Sequence, residues 1–160
     1  MIRVDPHLLD SIADAVNPLL ALTAVTFAFA RKRKAREVLP PRRFLAGVLL
    51  GLTVVYLLQN LDSRLHFCSR LGLDYSTHSA FAVSVVTSLV LANARWLFAL
   101  VPVLLGYGWL MAHLGYHTVA DMLAAAAVLV PATWALHRLL RATPPAPADG
   151  ARALDLTHDT

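Results

Sequence analysis

The chain has 160 residues, a formal net charge of +4 and 58% hydrophobic residues, yet only 15% of its residues are charged. A soluble domain usually carries about a quarter charged residues, so the composition argues against a soluble globular protein and favours one surrounded by lipid. Half of the fourteen Lys and Arg lie between Arg31 and Arg43. This basic cluster borders an apolar segment and lacks the aromatic residues of a nucleic-acid-binding surface, so we expect no nucleic-acid partner.

Apolar segments in chain order predict about five transmembrane helices. They cover roughly residues 15–30, 44–61, 78–94, 96–112 and 117–136. Each has 16–20 residues, near the lower limit for a hydrocarbon core of about 30 Å at 1.5 Å rise per residue. Alternation of polar and apolar residues is absent, and Ala and Leu dominate, which argues against strands. We therefore predict an all-α polytopic transmembrane helix bundle.

Two terminal regions flank these segments. Residues 1–14 carry apolar residues at helical spacing, which is typical either of a short helix in the membrane interface or of an extension of the first span. The tail from Thr143 is rich in Pro, Ala and Asp, a composition that predicts disorder. The chain then divides into a transmembrane domain, residues 1–142, and a disordered cytoplasmic tail, residues 143–160.

The distribution of basic residues predicts the orientation in the membrane. If the segment Arg31–Arg43 is cytoplasmic, Arg95 and the C-terminal tail are cytoplasmic too, and eleven basic residues lie inside against three outside. The N-terminus is then outside and the C-terminus inside. The polar segments 62–77 and 113–117 both fall at the outer face. The small size favours a bacterial inner membrane, with this face toward the periplasm.

Polar residues accumulate in those two outer segments and at the starts of the helices that follow. They are Asp62, Arg64, His66, Arg70, Asp74, Ser76, Thr77, His78, His113, His117 and Asp121. His117 and Asp121 are four residues apart, so on a helix they share one face. A carboxylate there can orient one imidazole nitrogen and leave the other free as a nucleophile or base.

Ser76 and Thr77 stand where the N-cap of the third span is expected, and a helix N-terminus beside hydroxyls favours an anion such as phosphate. Each of these residues also has a purely structural interpretation. Ser76 and Thr77 are ordinary caps, Asp121 can bond a neighbouring helix, and Arg64 and Arg70 can anchor to lipid head groups.

Two short stretches resemble motifs of the type 2 phosphatidic acid phosphatase superfamily. Residues 74–81 read Asp-Tyr-Ser-Thr-His-Ser-Ala-Phe and resemble the family's Pro-Ser-Gly-His motif, with Thr77 at the Gly position. Residues 114–124 read Leu-Gly-Tyr-His-Thr-Val-Ala-Asp-Met-Leu-Ala and resemble its last motif, in which His and Asp are four apart. The resemblance covers roughly residues 44–140 and extends to the related sphingomyelin synthases, which transfer a phospho-head-group between lipids.

The resemblance implies a role for each matched residue. His117 would be the nucleophile that forms a phosphohistidine, Asp121 would orient it, His78 would protonate the leaving alkoxide, and Ser76 would bind phosphate. The reaction would be hydrolysis of a lipid phosphate or pyrophosphate without a metal or other cofactor.

The chain departs from the family at its cationic phosphate ligands. Met111 stands at the position of the family's Arg, and the Lys and Arg of its first motif have no counterpart. Arg64 and Arg70 are six apart in the corresponding loop and are the candidates to replace them. With Thr77 and Asp74 they complete the predicted substrate-binding set.

Two further functions fit the same residues. His113, His117 and Asp121 recur every four residues, and with His78 and His66 they suggest Zn²⁺ ligands of a membrane metallohydrolase. The missing cations favour another alternative, a catalytically silent lipid-binding or assembly subunit. Membrane lipids are expected neighbours in every case, and the sequence leaves the oligomeric state open.

Overall fold

The computed structural model of this chain describes residues 6–30 and 39–142. That part of the chain contains six helices and no strand, which confirms the all-α prediction. The helices are α1 (Pro6–Ala30), α2 (Pro41–Leu65), α3 (Phe67–Arg70), α4 (Thr77–Ala92), α5 (Trp96–His113) and α6 (Val119–Ala142). The predicted disordered tail and most of the basic segment lie outside the described residues.

Four helices, α1, α2, α5 and α6, are long and apolar enough to cross a membrane. They have 18 to 25 residues, and even the shortest spans about 27 Å at 1.5 Å per residue. The chain is therefore an integral membrane protein. Because α1 begins at Pro6 and continues to Ala30, residues 6–14 extend the first span and do not form a separate interfacial helix.

The remaining predicted span is α4, the central helix of the bundle. Its 16 residues cover about 24 Å, less than the other four helices. It packs against α1, α2, α5 and α6, and Ala80, Ala82, Val85 and Leu89 are completely buried. The neighbouring helices thus surround α4, and its small residues let them approach closely.

The packing of α2 against α4 and α6 depends on two glycines, Gly47 and Gly51. A Cβ atom on Gly47 would lie 2.5 Å from Cε1 of His137, and one on Gly51 would lie 2.5 Å from Oγ of Ser84. Ser84 Oγ is 3.3 Å from Thr133 Oγ1. The buried side chains of α4 and α6 therefore occupy the space that the glycines leave free, as at small-residue contacts between membrane helices.

One end of the bundle, here called the site end, holds the N-termini of α1, α4 and α6 and the C-termini of α2 and α5. Tyr116 donates a hydrogen bond to Asp10 Oδ1 over 3.0 Å, which joins the α5–α6 connection to the start of α1. At the opposite end, Phe27 packs edge-on against Phe44 and Trp96. The segments 62–77 and 113–117 consequently lie together at the site end.

Candidate functional site

The connection between α2 and α4 folds around Asp62 and Cys68. α2 ends at His66, whose φ of 54° is left-handed, and the short α3 follows. Asp62 Oδ1 accepts a hydrogen bond from the Cys68 main-chain N–H at 2.8 Å. Burial, followed by the hydrogen bond and charge of Asp62 and the charges of Asp74 and Asp121, raises the pKa of Cys68 to about 11. Three carboxylates therefore make this part of the site end electronegative.

The side chain of Asp121 joins the start of α6 to the segment before α4. Asp121 is 5% exposed. Its Oδ1 accepts from the Asp74 main-chain N–H at 2.8 Å, and its Oδ2 accepts from both the N–H and the hydroxyl of Thr118 at 2.7 Å. Thr118 Oγ1 accepts in turn from the Asp121 N–H at 3.2 Å. This reciprocal pair is a capping box, which fixes where α6 begins.

His117 lies in the connection just before α6, beside Asp74. Its Nδ1 is 3.4 Å from Asp74 Oδ2; the His117 side chain is 14% exposed and that of Asp74 is 75% exposed. The described residues give its Nε2 no hydrogen-bond partner. The imidazole therefore has a carboxylate within ion-pair distance of Nδ1, although neither ring nitrogen makes a hydrogen bond with the described residues.

The prediction that His117 and Asp121 share one helix face was wrong. α6 begins only at Val119, because Thr118 and Asp121 form the capping box and the residue before the N-cap has left the helix. The Asp121 oxygens are taken by Asp74 and Thr118, so the carboxylate beside the His117 ring is that of Asp74.

Ser76 is the N-cap of α4, as predicted, and its Oγ accepts from the Ser79 N–H at 3.3 Å. However, Ser76 is completely buried, and its hydroxyl donates to Ser79 Oγ at 2.8 Å. This hydroxyl is thus engaged inside the protein. Of the two predicted anion-binding hydroxyls, only that of the half-buried Thr77 borders open space.

His78 is exposed and faces a cavity of about 540 Å³ between α1, α2 and α4. The cavity is lined by Asp14, Asn17, Pro18, Tyr56, Gln59, Thr77, His78 and Phe81. Asn17 Nδ2 donates to the His78 carbonyl at 3.4 Å. In the described part of the chain no hydrogen bond joins the rings of His78 and His117, so the two imidazoles have different surroundings at the same end of the bundle.

Arg64 and Arg70 are both exposed, near the end of α2 and on α3. Within residues 6–30 and 39–142, neither guanidinium makes a hydrogen bond or ion pair. Their role as phosphate ligands stays a prediction.

The predicted metal ligands are dispersed. His113, the last residue of α5, stacks on Trp109 with ring centroids 5.0 Å apart and planes at 8°. His66 is exposed at the left-handed turn. Among the described residues, no three His, Cys, Asp or Glu side chains are grouped to hold one metal ion. The alternative zinc site, like the prediction that no cofactor is bound, stays untested.

No protein-family model, curated protein or solved structure matches this chain. The resemblance to lipid phosphatases therefore rests on the two motifs alone.

Sequence reasoning missed three features. The first is Asp74 as the partner of His117. The second is Thr118, although its spacing to Asp121 is that of a capping box. The third is a buried polar contact in which His137 Nε2 lies 3.1 Å from Ser88 Oγ; the signal for it was the pair Gly47 and Gly51, since that spacing is typical of close helix contacts.

Proposed function

We propose that this integral membrane protein is a phosphoesterase that hydrolyses a lipid phosphate or pyrophosphate at the site end, with His117 as the nucleophile. The observation that carries the proposal is the pair of His117 Nδ1 and Asp74 Oδ2 at 3.4 Å. A carboxylate beside Nδ1 favours the tautomer that keeps its proton there and offers the Nε2 lone pair for attack. The resemblance to the type 2 phosphatidic acid phosphatase superfamily supplies the reaction class.

The reaction has two displacements. Nε2 of His117 attacks phosphorus, the bond from phosphorus to the lipid oxygen breaks, and His78 gives its proton to the leaving alkoxide. Water then attacks the phosphohistidine and loses a proton to His78, which releases inorganic phosphate and restores the imidazole. Two easier displacements thus replace a single displacement that would be more difficult.

In this proposal Asp121 positions other residues and does not touch the substrate. It binds the main-chain N–H of Asp74 and that of Thr118, which is the neighbour of His117. Asp121 therefore holds the two segments that carry His117 and Asp74. This differs from the role that the resemblance implies, in which Asp121 itself orients the nucleophile.

Positive charge for the phosphoryl group comes, in this proposal, from Arg64 and Arg70. A phosphoryl group in transfer carries spread negative charge, which cations stabilise. The carboxylates of Asp62, Asp74 and Asp121 repel an anion, so the arginines must compensate for them. Both side chains are exposed and not engaged by other described residues, which leaves them able to turn toward a bound phosphate.

The proposed location follows from the basic residues. We place the N-terminus and the site end outside and the C-terminus in the cytoplasm of a bacterial inner membrane, so that the substrate enters from the outer leaflet. The lipid phosphate and the surrounding membrane lipids are the proposed partners.

Phosphate release by the purified protein in detergent, with EDTA present, tests the function. Lipid monophosphates and pyrophosphates are the substrates. His117→Ala should abolish release, whereas His113→Ala, which removes an imidazole at the same end stacked on Trp109, should leave it unchanged. Acid-labile ³²P on the native protein, absent from His117→Ala, would identify the phosphohistidine. Equal turnover by His117→Ala and the native protein would refute the nucleophile.

One observation favours a second candidate, a lipid-binding subunit without turnover. The Asp121 carboxylate, which the resemblance places in the catalytic pair, accepts three hydrogen bonds that cap α6 and bind Asp74. Absence of phosphate release from every lipid phosphate, together with lipid that co-purifies stoichiometrically, would support this candidate over the enzyme. Release that EDTA abolishes would instead support the zinc hydrolase.

A further inference from the structure

The cavity between α1, α2 and α4 has a lining that the proposed reaction does not explain. Its polar groups come from three helices and include the Asp14 carboxylate and the carboxamides of Asn17 and Gln59. Its volume of about 540 Å³ is in the range of small-molecule sites, roughly 300–1,000 Å³. None of the described residues that line it is a Lys or Arg.

The Asp14 side chain is exposed on the surface of α1. It lies about 12 Å along α1 from Pro6, inside a helix apolar enough to cross the membrane. Its carboxylate makes no hydrogen bond or ion pair with other described residues. An ionised carboxylate at such a position is costly unless a cation or donors accompany it.

The other lining residues suit a cation with N–H donors. The carboxamide oxygen of Gln59 is an acceptor. The rings of Tyr56 and Phe81 border the same space, and an ammonium group is attracted to aromatic faces. α1 and α2 also expose large apolar residues, including Leu19, Leu22 and Leu57, which in a membrane face acyl chains.

We infer that this cavity binds the primary ammonium of a phospholipid head group, with Asp14 as its counter-ion. The ammonium lies between Asp14 and Gln59, with the aromatic rings beside it. Thr77 and His78, at the start of α4, border the same space and are the hydrogen-bonding groups available to the phosphate of that head group. The inference does not depend on catalysis by His117.

Native mass spectrometry of the detergent-purified protein tests this inference. Phosphatidylethanolamine and phosphatidylglycerol with matched acyl chains are offered in equal amounts. Both lipids carry the same phosphate, so a difference in their retention reports the amine. The native chain should retain phosphatidylethanolamine preferentially. Asp14→Asn should reduce this preference by about tenfold, the effect of one lost charge-assisted hydrogen bond.

Asp10→Asn is the matched control, since Asp10 lies one turn earlier on α1, binds Tyr116 and does not line the cavity. This variant should keep the preference. Gln59→Leu provides a second test should Asp14→Asn fold poorly, and it should also lower the preference. Phosphatidylcholine, which keeps the positive charge but has no N–H donors, should be retained less than phosphatidylethanolamine.

Equal retention of phosphatidylethanolamine and phosphatidylglycerol by the native chain would overturn the inference. So would a preference that survives in both Asp14→Asn and Gln59→Leu. Retention of phosphatidylcholine equal to that of phosphatidylethanolamine would overturn the assignment of a primary amine. Repeating the measurement on His117→Ala separates the two proposals, because lipid retention should persist there while phosphate release is lost.

Discussion

The buried carboxylate of Asp121 accepts a hydrogen bond from the main-chain N–H of Asp74 across 2.8 Å. This bond joins two connections that lie 47 residues apart in sequence. Because Asp121 also caps α6, one side chain fixes both the start of that helix and the position of the segment that leads into α4. The same bond holds Asp74 in the segment that lies beside His117.

Loss of the Asp121 carboxylate should destabilise the protein. Asp121→Ala removes the capping box and leaves the Asp74 and Thr118 N–H groups without their acceptor, at a cost of about 1–3 kcal/mol. Thermal unfolding in detergent should show a lower midpoint. Asp74→Ala is the control: its side chain is mostly exposed, so it should unfold at the native midpoint. A larger loss for Asp74→Ala than for Asp121→Ala would contradict this assignment.

A methyl group on Gly47 should disturb the contact between α2 and α6. Its Cβ would lie 2.5 Å from the His137 ring, and overpacking of this kind costs about 1–3 kcal/mol. Gly106→Ala is the matched substitution, since a Cβ there meets nothing within 4 Å. It should be neutral or slightly stabilising because alanine favours helix. Midpoints of thermal unfolding in detergent distinguish the two.

The Gly47 clash should be relieved by a second change. His137→Ala removes the ring that the new methyl group meets, so Gly47→Ala should cost less in the His137→Ala background than in the native chain. A double-mutant cycle on unfolding free energies measures this coupling. Additive costs would show that the two residues do not share the space that the structure gives them.

The Cys68 thiol should react slowly with alkylating reagents. Its pKa of about 11 leaves almost no thiolate at pH 8, and the thiolate is the reactive form. Raising the pH toward 11 should accelerate alkylation for as long as the protein stays folded. A reference thiol, made by Ser69→Cys in a Cys68→Ser background, sits at an exposed neighbouring position and should react faster at pH 8. Mass spectrometry of timed iodoacetamide reactions gives both rates.

The same pKa has a consequence for stability. The folded-state pKa lies above the ordinary thiol pKa of 9.0, so the folded protein holds this proton more tightly than the unfolded chain. The stabilising contribution of the neutral thiol is present below pH 9 and is lost as the pH rises through about 11. Unfolding midpoints of the native chain should therefore fall more steeply between these values than those of Cys68→Ser.

Removal of the Ser76 hydroxyl should shorten or loosen the start of α4. Ser76→Ala removes the N-cap acceptor of the Ser79 N–H, which typically costs about 1 kcal/mol. Thr77→Ala, one residue later, changes no cap bond and should unfold near the native midpoint. Hydrogen exchange of the first turn of α4 should rise in Ser76→Ala alone; equal exchange in both variants would refute the cap.

Much of the bundle was predictable because it depends on local hydropathy. The apolar segments predicted the long helices. Ser76 was identified as an N-cap because that preference is local too. The candidate polar residues at the site end were also named, since each lies at the end of a predicted span.

The pairing of those residues was not predictable from spacing. The four-residue interval between His117 and Asp121 indicated a shared helix face, but the capping box of Thr118 and Asp121 starts the helix after His117. The partner of His117, Asp74, comes from 43 positions earlier in the chain. Likewise, Asp14, Gln59 and His78 border one cavity only because α1, α2 and α4 pack side by side.

The amino-acid sequence by itself determined that this protein is a helical membrane bundle with polar helix ends, because lipid selects long apolar segments whose backbone bonds are internal. Only the tertiary structure decided which carboxylate lies beside which residue: Asp74 beside His117, and Asp121 bonded to Asp74 and Thr118. Such contacts join residues distant in sequence, and they are set by how closely Gly47 and Gly51 let the helices approach and by where the helix caps end the regular backbone.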